Sequence, residues 1–328
     1  MVERFVPRGA GAVASAVASR AVSRGDFLRL GGFGVAGAAL LPLAGCGGSG
    51  EAQGDSGGIP DPLNIGVIPA EDTEQVAATF EPIAKYVGEE VGVETKLYTA
   101  TDYSGIIEAM RSGEAEVAWL GPLSYVLAAQ RANAEAVAVQ LTEEGTKDPT
   151  YRSFIITRKD SGVRSLEDLK GKNFAFVDPA STSGNLFPRQ AFKEAGMDPD
   201  KDLAEATFAG GHDASALAAA NGDVDAGAVA STTFESMIAE GILNENDVRK
   251  IWESDPIPES PIAVRGDLSP GAKEKIKQAF VGMRPEDVGE EEISPDGAVG
   301  YVAARDSDYD VIRKLARSLN LDAETLAS

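Results

Sequence analysis

Three consecutive hydroxyl residues and a glycine follow an apolar run near the middle of the chain. Phe174–Val177 predicts a buried strand, and the segment from Leu186 to Ala195 predicts a helix. The residues of interest between them are Ser181, Thr182, Ser183 and Gly184, of which the first three are called the hydroxyl turn below. N–H groups in the first turn of a helix point towards a ligand, and the helix dipole favours negative charge there. This junction therefore predicts an oxyanion site without a formal positive charge, with an ordinary serine or threonine helix cap as the alternative.

The sequence lacks the motifs of common hydrolases and phosphotransferases. It has no Gly-x-Ser-x-Gly elbow, no P-loop lysine and no His/Asp metal cluster. His212 is the only histidine, which excludes a histidine-rich metal site. A serine–histidine pair, Ser181 or Ser183 with His212, leaves an extracytoplasmic enzyme acting on phosphate esters as an alternative class. We predict a binding protein rather than an enzyme, with no cofactor and no metal.

The first residues are typical of an export signal. A region with five arginines precedes the apolar segment Leu30–Leu43, which is too short for a comfortable membrane span. The tetrapeptide ending at Cys46 resembles a lipobox, so residues 1–46 predict a lipoprotein signal peptide, with an unmodified buried cysteine as the alternative. Residues 47–60 predict a flexible linker. Gly25 stands where a twin-arginine motif has its second arginine, so the export route stays open. We expect an extracytoplasmic protein, anchored to the outer face of the cell membrane through lipid on Cys46.

The charge balance argues against nucleic acid as a partner. Asp and Glu number 52 against 30 Lys and Arg, which gives a formal net charge of −22. An acidic surface of this kind repels polyanions. It does not exclude a small anion ligand, because surface charge is screened within about 8–10 Å at moderate salt while hydrogen bonds act locally.

Short strands alternate with helices along the remaining chain, which predicts an α/β fold with largely parallel sheets. Strands are predicted at Leu63–Ile68, Val117–Leu120 and Val224–Val229, among others. The predicted strand-to-helix junctions lie at Pro69, Thr101, Gly121, Ser181 and Ser231. Because ligands of open α/β sheets bind at the carboxyl ends of the strands, these junctions predict the edges of one cleft.

Six segments carry a resemblance to a known family; they are Leu63–Pro69, Ala100–Met110, Val117–Tyr125, Tyr151–Gly162, Leu166–Asn185 and Gly211–Ser215. Together they resemble the phosphonate/phosphite/phosphate-binding proteins of ABC importers. The resemblance implies a two-lobed, periplasmic-binding-protein-like fold of type II, with a mostly parallel sheet in each lobe and the ligand between the lobes. We place lobe 1 at residues 61–157 plus 256–328 and lobe 2 at residues 158–255. The implied partners are the permease and ATPase subunits of an importer, and the implied state is a monomer.

The same resemblance implies a set of ligand-binding residues. These are Tyr103, Tyr125, Ser181, Thr182, Ser183, Gly184, His212 and Asp255. The hydroxyl turn would cradle phosphoryl oxygens with help from the N–H groups of Ser183 and Gly184, and His212 would donate to another oxygen. The two tyrosines would line the site from the other lobe; core packing is the alternative for Tyr103. Asp255 matches an acidic position after a small gap and would accept the proton of a P–O–H group.

One departure from the family pattern bears on the ligand. Members that hold an aminoalkyl phosphonate are expected to have a carboxylate where this chain has the hydroxyls of Ala230–Phe234. This difference favours phosphite, methylphosphonate or phosphate over an amine-bearing ligand. A sulfonate or a thiamine-precursor-like heterocycle is the rival ligand, and a ligand-binding partner of a membrane sensor is the rival function.

Overall fold

The computed structural model describes residues 58–141, 149–288 and 299–321. Its strands, in chain order, are β1 (Leu63–Val67), β2 (Thr95–Thr99), β3 (Val117–Trp119), β4 (Ala134–Leu141), β5 (Thr150–Tyr151), β6 (Ser153–Arg158), β7 (Asn173–Phe176), β8 (Glu205–Phe208), β9 (Ala226–Ala230), β10 (Val248–Glu253), β11 (Ile257–Pro258), β12 (Pro261–Arg265) and β13 (Gly300–Ala303). Its helices are α1 (Thr73–Val91), α2 (Tyr103–Ser112), α3 (Pro122–Arg131), α4 (Phe187–Glu194), α5 (Pro199–Asp202), α6 (His212–Asn221), α7 (Ser231–Ala239), α8 (Pro270–Gly282), α9 (Pro285–Val288) and α10 (Asp310–Ser318). Shorter helical turns cover Glu167–Leu169, Thr182–Leu186 and Asp306–Tyr309. The predicted signal peptide with Cys46 lies outside the described residues.

The first lobe is built on a six-stranded sheet in the order β13-β4-β12-β3-β1-β2. Helix α1 packs on this sheet because its apolar residues recur at helical spacing, and Val76, Phe80, Ile83 and Val87 are all buried. The carboxylate of Asp72 caps the start of the helix by accepting the N–H groups of Glu74 and Gln75. Gly92, in the left-handed conformation, ends the helix. Ile59 is already buried in this core, so the ordered fold begins before the predicted end of the linker at residue 60.

The second lobe is built on a five-stranded sheet in the order β10-β6-β9-β7-β8. Phe174 and Phe176 are two residues apart on β7 and therefore lie on the same face of the sheet. Both rings pack edge-on against Phe192 of α4, with centroids 5.1 and 6.4 Å away. This aromatic group fixes α4 and the turn before it over the end of β7.

The chain passes between the two sheets twice. The first passage runs from β4 through β5 to β6, and the return runs from β10 through β11 to β12. The two passages pair with each other, since β5 and β11 form a two-stranded antiparallel ladder. The predicted two-lobed α/β fold is confirmed, and the paired passages provide the hinge that such a fold needs.

Two details of the prediction were wrong. The sheets are mixed rather than mostly parallel: β1 and β7 pair in parallel with both neighbours, whereas the remaining pairs are antiparallel. Strands that pass directly between lobes need no helical crossover, and so they are not held to the parallel direction. In addition, β6 belongs to the second sheet, so the chain leaves the first lobe before Ser153 rather than at residue 157. An apolar run such as β6 is buried in either sheet and does not reveal which one it joins.

Across the described ranges, no helix is both long and apolar enough to cross a membrane.

Candidate functional site

A small cavity lies between the lobes, at the ends of β1, β3, β7 and β9. Its volume is about 30 Å³. The second lobe contributes Ser181, Thr182, Ser183, His212, Ala230, Thr232 and Thr233. The first lobe and the passages contribute Ile68, Ala70, Tyr103, Trp119, Gly121, Tyr151, Glu259 and Ser260. None of these lining residues is a lysine or an arginine, and most carry a hydroxyl or another neutral hydrogen-bonding group.

The hydroxyl turn lies on the cavity wall with all three side chains buried. The Ser181 hydroxyl accepts the Gly184 N–H at 3.0 Å, and the Thr182 hydroxyl accepts the Leu123 N–H at 2.7 Å. A hydroxyl oxygen that accepts a hydrogen bond still has its own proton to donate. The backbone of the turn is anchored to β6, because the Ser153 hydroxyl donates to the Ser183 carbonyl at 2.6 Å. The turn can therefore present hydroxyl donors to an anion.

Gly184 has a different role from the one predicted. Its N–H is already used by the Ser181 cap, and it does not line the cavity. A Cβ atom at this position would lie 2.3 Å from the Cβ of Val177, which is far inside van der Waals contact. The glycine is needed because the turn passes directly over the end of β7.

His212 is the first residue of α6 and lines the cavity. Its Nδ1 accepts the Ala230 N–H at 3.0 Å, which places the ring proton on Nε2. Burial lowers the pKa of His212 to about 3. The imidazole is therefore a neutral group with a single N–H donor, fixed in orientation by the backbone at the end of β9.

The two predicted tyrosines have different positions. Tyr103 lines the cavity from the first residue of α2. Tyr125 does not line it: its hydroxyl donates to Asp306 Oδ1 at 2.6 Å and accepts the Ala136 N–H at 3.2 Å. The ring also packs edge-on against Tyr309 at 4.8 Å. Tyr125 thus points away from the cleft and joins α3 to the sheet and to the C-terminal part of the lobe.

Asp255 is exposed and does not reach the cavity, whereas Glu259 does. Glu259 is only 2 % exposed, and its Oε2 accepts the Ser260 N–H at 3.0 Å and the Gln140 side chain at 3.3 Å. Gln140 in turn accepts the indole N–H of Trp119 at 3.2 Å. The carboxylate that reaches the cavity is therefore that of Glu259, four residues further along the chain than the predicted Asp255.

Four hydroxyl residues of the cavity were not among the predicted site residues, namely Tyr151, Thr232, Thr233 and Ser260. Thr232 and Thr233 follow the end of β9, and Ser260 lies just before β12. The signal for the threonines was present, since Ser231 marks a strand-to-helix junction of the same kind as Ser181. Nothing in the sequence singles out Ser260, which reaches the cavity because the return passage carries it there. Within the described ranges, no group of three or more His, Cys, Asp or Glu residues could hold a metal ion.

Comparison with known proteins decides the family. Residues 65–309 match the sequence profile of the periplasmic substrate-binding proteins of phosphonate ABC transporters. The chain belongs to this family. It is the substrate-binding component of an ABC importer and acts outside the cytoplasm, as the sequence predicted.

Individual relatives agree with this assignment. The binding protein is 35% identical to the phosphate-import protein PhnD of Mycolicibacterium smegmatis, over 84% of its own chain and 91% of that protein. It is 32% identical to the phosphonates-binding periplasmic protein of Escherichia coli, over 69% and 68% of the two chains. A solved structure of a phosphonate-transporter binding protein from Pseudomonas aeruginosa has a TM-score of 0.72 and 29% identity, over 80% and 87% of the two chains.

Proposed function

We propose that this protein captures a small tetrahedral phosphorus oxyanion, namely phosphate, phosphite or methylphosphonate, and delivers it to an ABC permease. The observation that carries the proposal is the chemistry of the cavity wall. Hydroxyl groups and the Nε2–H of His212 supply neutral donors, and a single carboxylate, Glu259, stands among them. Such a wall fits an anion that accepts several hydrogen bonds and donates one, which is what a P–O–H group provides.

The size of the cavity supports a small ligand. A volume of about 30 Å³ leaves room for about two or three water-sized groups in the closed lobes. A nucleotide or a long organic substituent does not fit without separating the lobes. The hydroxyls of Thr232 and Thr233, where a carboxylate would favour an amine, speak against an aminoalkyl phosphonate.

Isothermal titration calorimetry tests the ligand. The full-length protein in mild detergent is titrated with phosphate, phosphite, methylphosphonate, 2-aminoethylphosphonate and sulfate. We expect tight binding of one of the first three, and at least tenfold weaker binding after Ser183→Ala because a buried donor is lost. Ser307→Ala, at an exposed position in the Asp306–Tyr309 turn, is the matched control. No heat with any of the five anions would contradict the proposal and direct the search to a sulfonate or a heterocycle.

We further propose that the protein binds its ligand without chemical change. A serine nucleophile needs a base to take its proton. His212 is a poor base here, because Nδ1 is already engaged by Ala230 and burial lowers the pKa of the ring to about 3. Incubation with a phosphomonoester at high protein concentration should release no phosphate. Release that disappears in His212→Gln would contradict this part of the proposal.

The mode of attachment and the oligomeric state are also proposals. We infer that Cys46 carries the lipid that holds the mature protein at the outer face of the membrane, and that the protein acts as a monomer. Mass spectrometry of the membrane fraction should find a diacylglycerol adduct on the mature chain. The Cys46→Ser variant should lack the adduct and appear in the soluble fraction, and a retained membrane location would contradict anchoring through Cys46.

A further inference from the structure

Helix α3 of the first lobe begins without a side-chain cap of its own. Its N-cap residue is Gly121, which has no side chain, and Pro122 follows as the first helical residue. The N–H groups of the first turn of any helix have no acceptor within that helix. Here the N–H of Leu123 donates to the hydroxyl of Thr182 at 2.7 Å, and Thr182 belongs to the second lobe.

Helix α2 of the first lobe also has an N–H group that donates to a side chain of the second lobe. Asp102 caps it from within by accepting the Gly105 N–H at 2.8 Å. The N–H of Tyr103, the first residue of the helix, donates instead to Asp178 Oδ2 of the second lobe at 3.3 Å. The other oxygen of Asp178 accepts the Ala180 N–H at 2.7 Å, so the same carboxylate also holds the turn that leads to Ser181.

Both acceptors lie in one short segment, Asp178–Ser183, which also contains the hydroxyl turn. Thr182 lines the cavity, whereas Asp178 does not. Asp178 is nevertheless buried, with 5 % of its surface exposed. A ligand held by the hydroxyl turn therefore fixes the segment whose side chains reach the two helices of the opposite lobe.

We propose that Asp178 and Thr182 cap the helices α2 and α3 across the cleft, and that these cross-lobe caps couple ligand capture to lobe closure. The inference rests on the proposed function, because it needs a ligand at the hydroxyl turn. Asp178 is a positioning residue: it acts through the turn and the opposite helix without touching the ligand. Thr182 has two functions, since its oxygen accepts the N–H of the opposite lobe while its own proton remains available for an anion.

The coupling has a measurable size. A cap bond that forms only in the closed state adds its free energy to ligand binding rather than to the stability of the separate lobes. Loss of one cap is expected to weaken ligand affinity about fivefold. The helix dipole adds to the effect at Asp178, because a carboxylate is favoured at a helix N-terminus.

Amide hydrogen exchange followed by NMR on the full-length protein tests the caps one by one. The probe is the anion among phosphate, phosphite and methylphosphonate that binds the wild-type protein most tightly. In the wild type, the amides of Tyr103 and Leu123 should exchange rapidly without the anion and at least tenfold more slowly with it. With the anion saturating, Thr182→Val should restore rapid exchange at Leu123 only, and Asp178→Ala should restore it at Tyr103.

A conservative variant separates capping from packing. Thr182→Ser keeps the hydroxyl, so it should restore both the protection of Leu123 and the affinity that Thr182→Val loses. Equal protection of both amides with and without the anion would overturn the inference, as would variants that lose affinity while the partner amide stays protected. A wild-type protein that binds none of the three anions would instead contradict the proposed function, so the two failures are distinguishable.

Discussion

Replacement of Glu259 by glutamine is expected to weaken the distinction between phosphate and sulfate. Both anions are tetrahedral and doubly charged at mildly alkaline pH, but only phosphate still carries a proton on an oxygen. In the wild type that proton can be donated to the Glu259 carboxylate. Sulfate has no proton to give, and it would leave two acceptors facing each other in a buried site.

The contacts of Glu259 define what the substitution changes. Oε2 is held by two donors, the Ser260 N–H and the Gln140 amide. In Glu259→Gln the side-chain oxygen keeps that place, and the new NH₂ group takes the position of Oε1. An acceptor is thereby replaced by a donor in a side chain that lines the cavity. An unpaired buried acceptor costs about 1–3 kcal/mol, so the phosphate-to-sulfate affinity ratio should fall by about fivefold or more.

Calorimetric titration of both anions at one pH measures this ratio. Asp255→Asn is the matched control, because it makes the same carboxylate-to-amide change at the exposed position that the sequence had favoured. The control should leave the ratio unchanged. An affinity ratio within twofold of the wild-type value in Glu259→Gln would refute the reasoning, and so would an equal loss in Asp255→Asn.

Three further predictions concern stability. Gly184→Ala should lower the free energy of unfolding by about 1–3 kcal/mol or more through its clash with Val177, whereas Gly271→Ala, whose Cβ would lie 4.0 Å from Ser269 Oγ, should not; chemical denaturation measures both. Tyr125→Phe should lower the free energy of unfolding by about 1–2 kcal/mol in the same assay and leave ligand affinity unchanged. A loss of ligand affinity would instead show that Tyr125 contributes to the binding site. His212 binds its proton more weakly when folded, with a pKa of about 3, than when unfolded, where the pKa is about 6.5. Its contribution to stability is therefore lost as pH falls below about 6.5, by up to about 1.4 kcal/mol per pH unit, and unfolding curves of His212→Gln should lack this part of the slope.

The architecture and part of the cavity wall were accessible from the sequence because they depend on local signals. The turn at Ser181 was predicted from a strand that ends in hydroxyls before a helix, and the structure places it on the cavity wall. The start and stop signals of α2 were equally clear, since Asp102 caps its N-terminus and Gly113 ends it in the left-handed conformation. Such features depend on a few neighbouring residues, so they can be predicted from the local sequence.

The remainder depends on contacts between distant segments. The four-residue difference between Asp255 and Glu259 follows from where the return passage pairs with Tyr151, which no local pattern records. Tyr125 has the spacing of a cleft residue, but its direction is set by Asp306, far along the chain. The edge strand β8 was missed because all four of its residues are exposed and it has no buried apolar run.

The cavity wall has no lysine or arginine, and this has a consequence for delivery. An anion held by lysine or arginine would still be attracted by a full charge after the lobes separate. Here the donors are dipoles that converge only while the lobes are closed, and water can replace each of them as soon as they diverge. Opening by the permease is then sufficient for unloading, with no ion pair left to break.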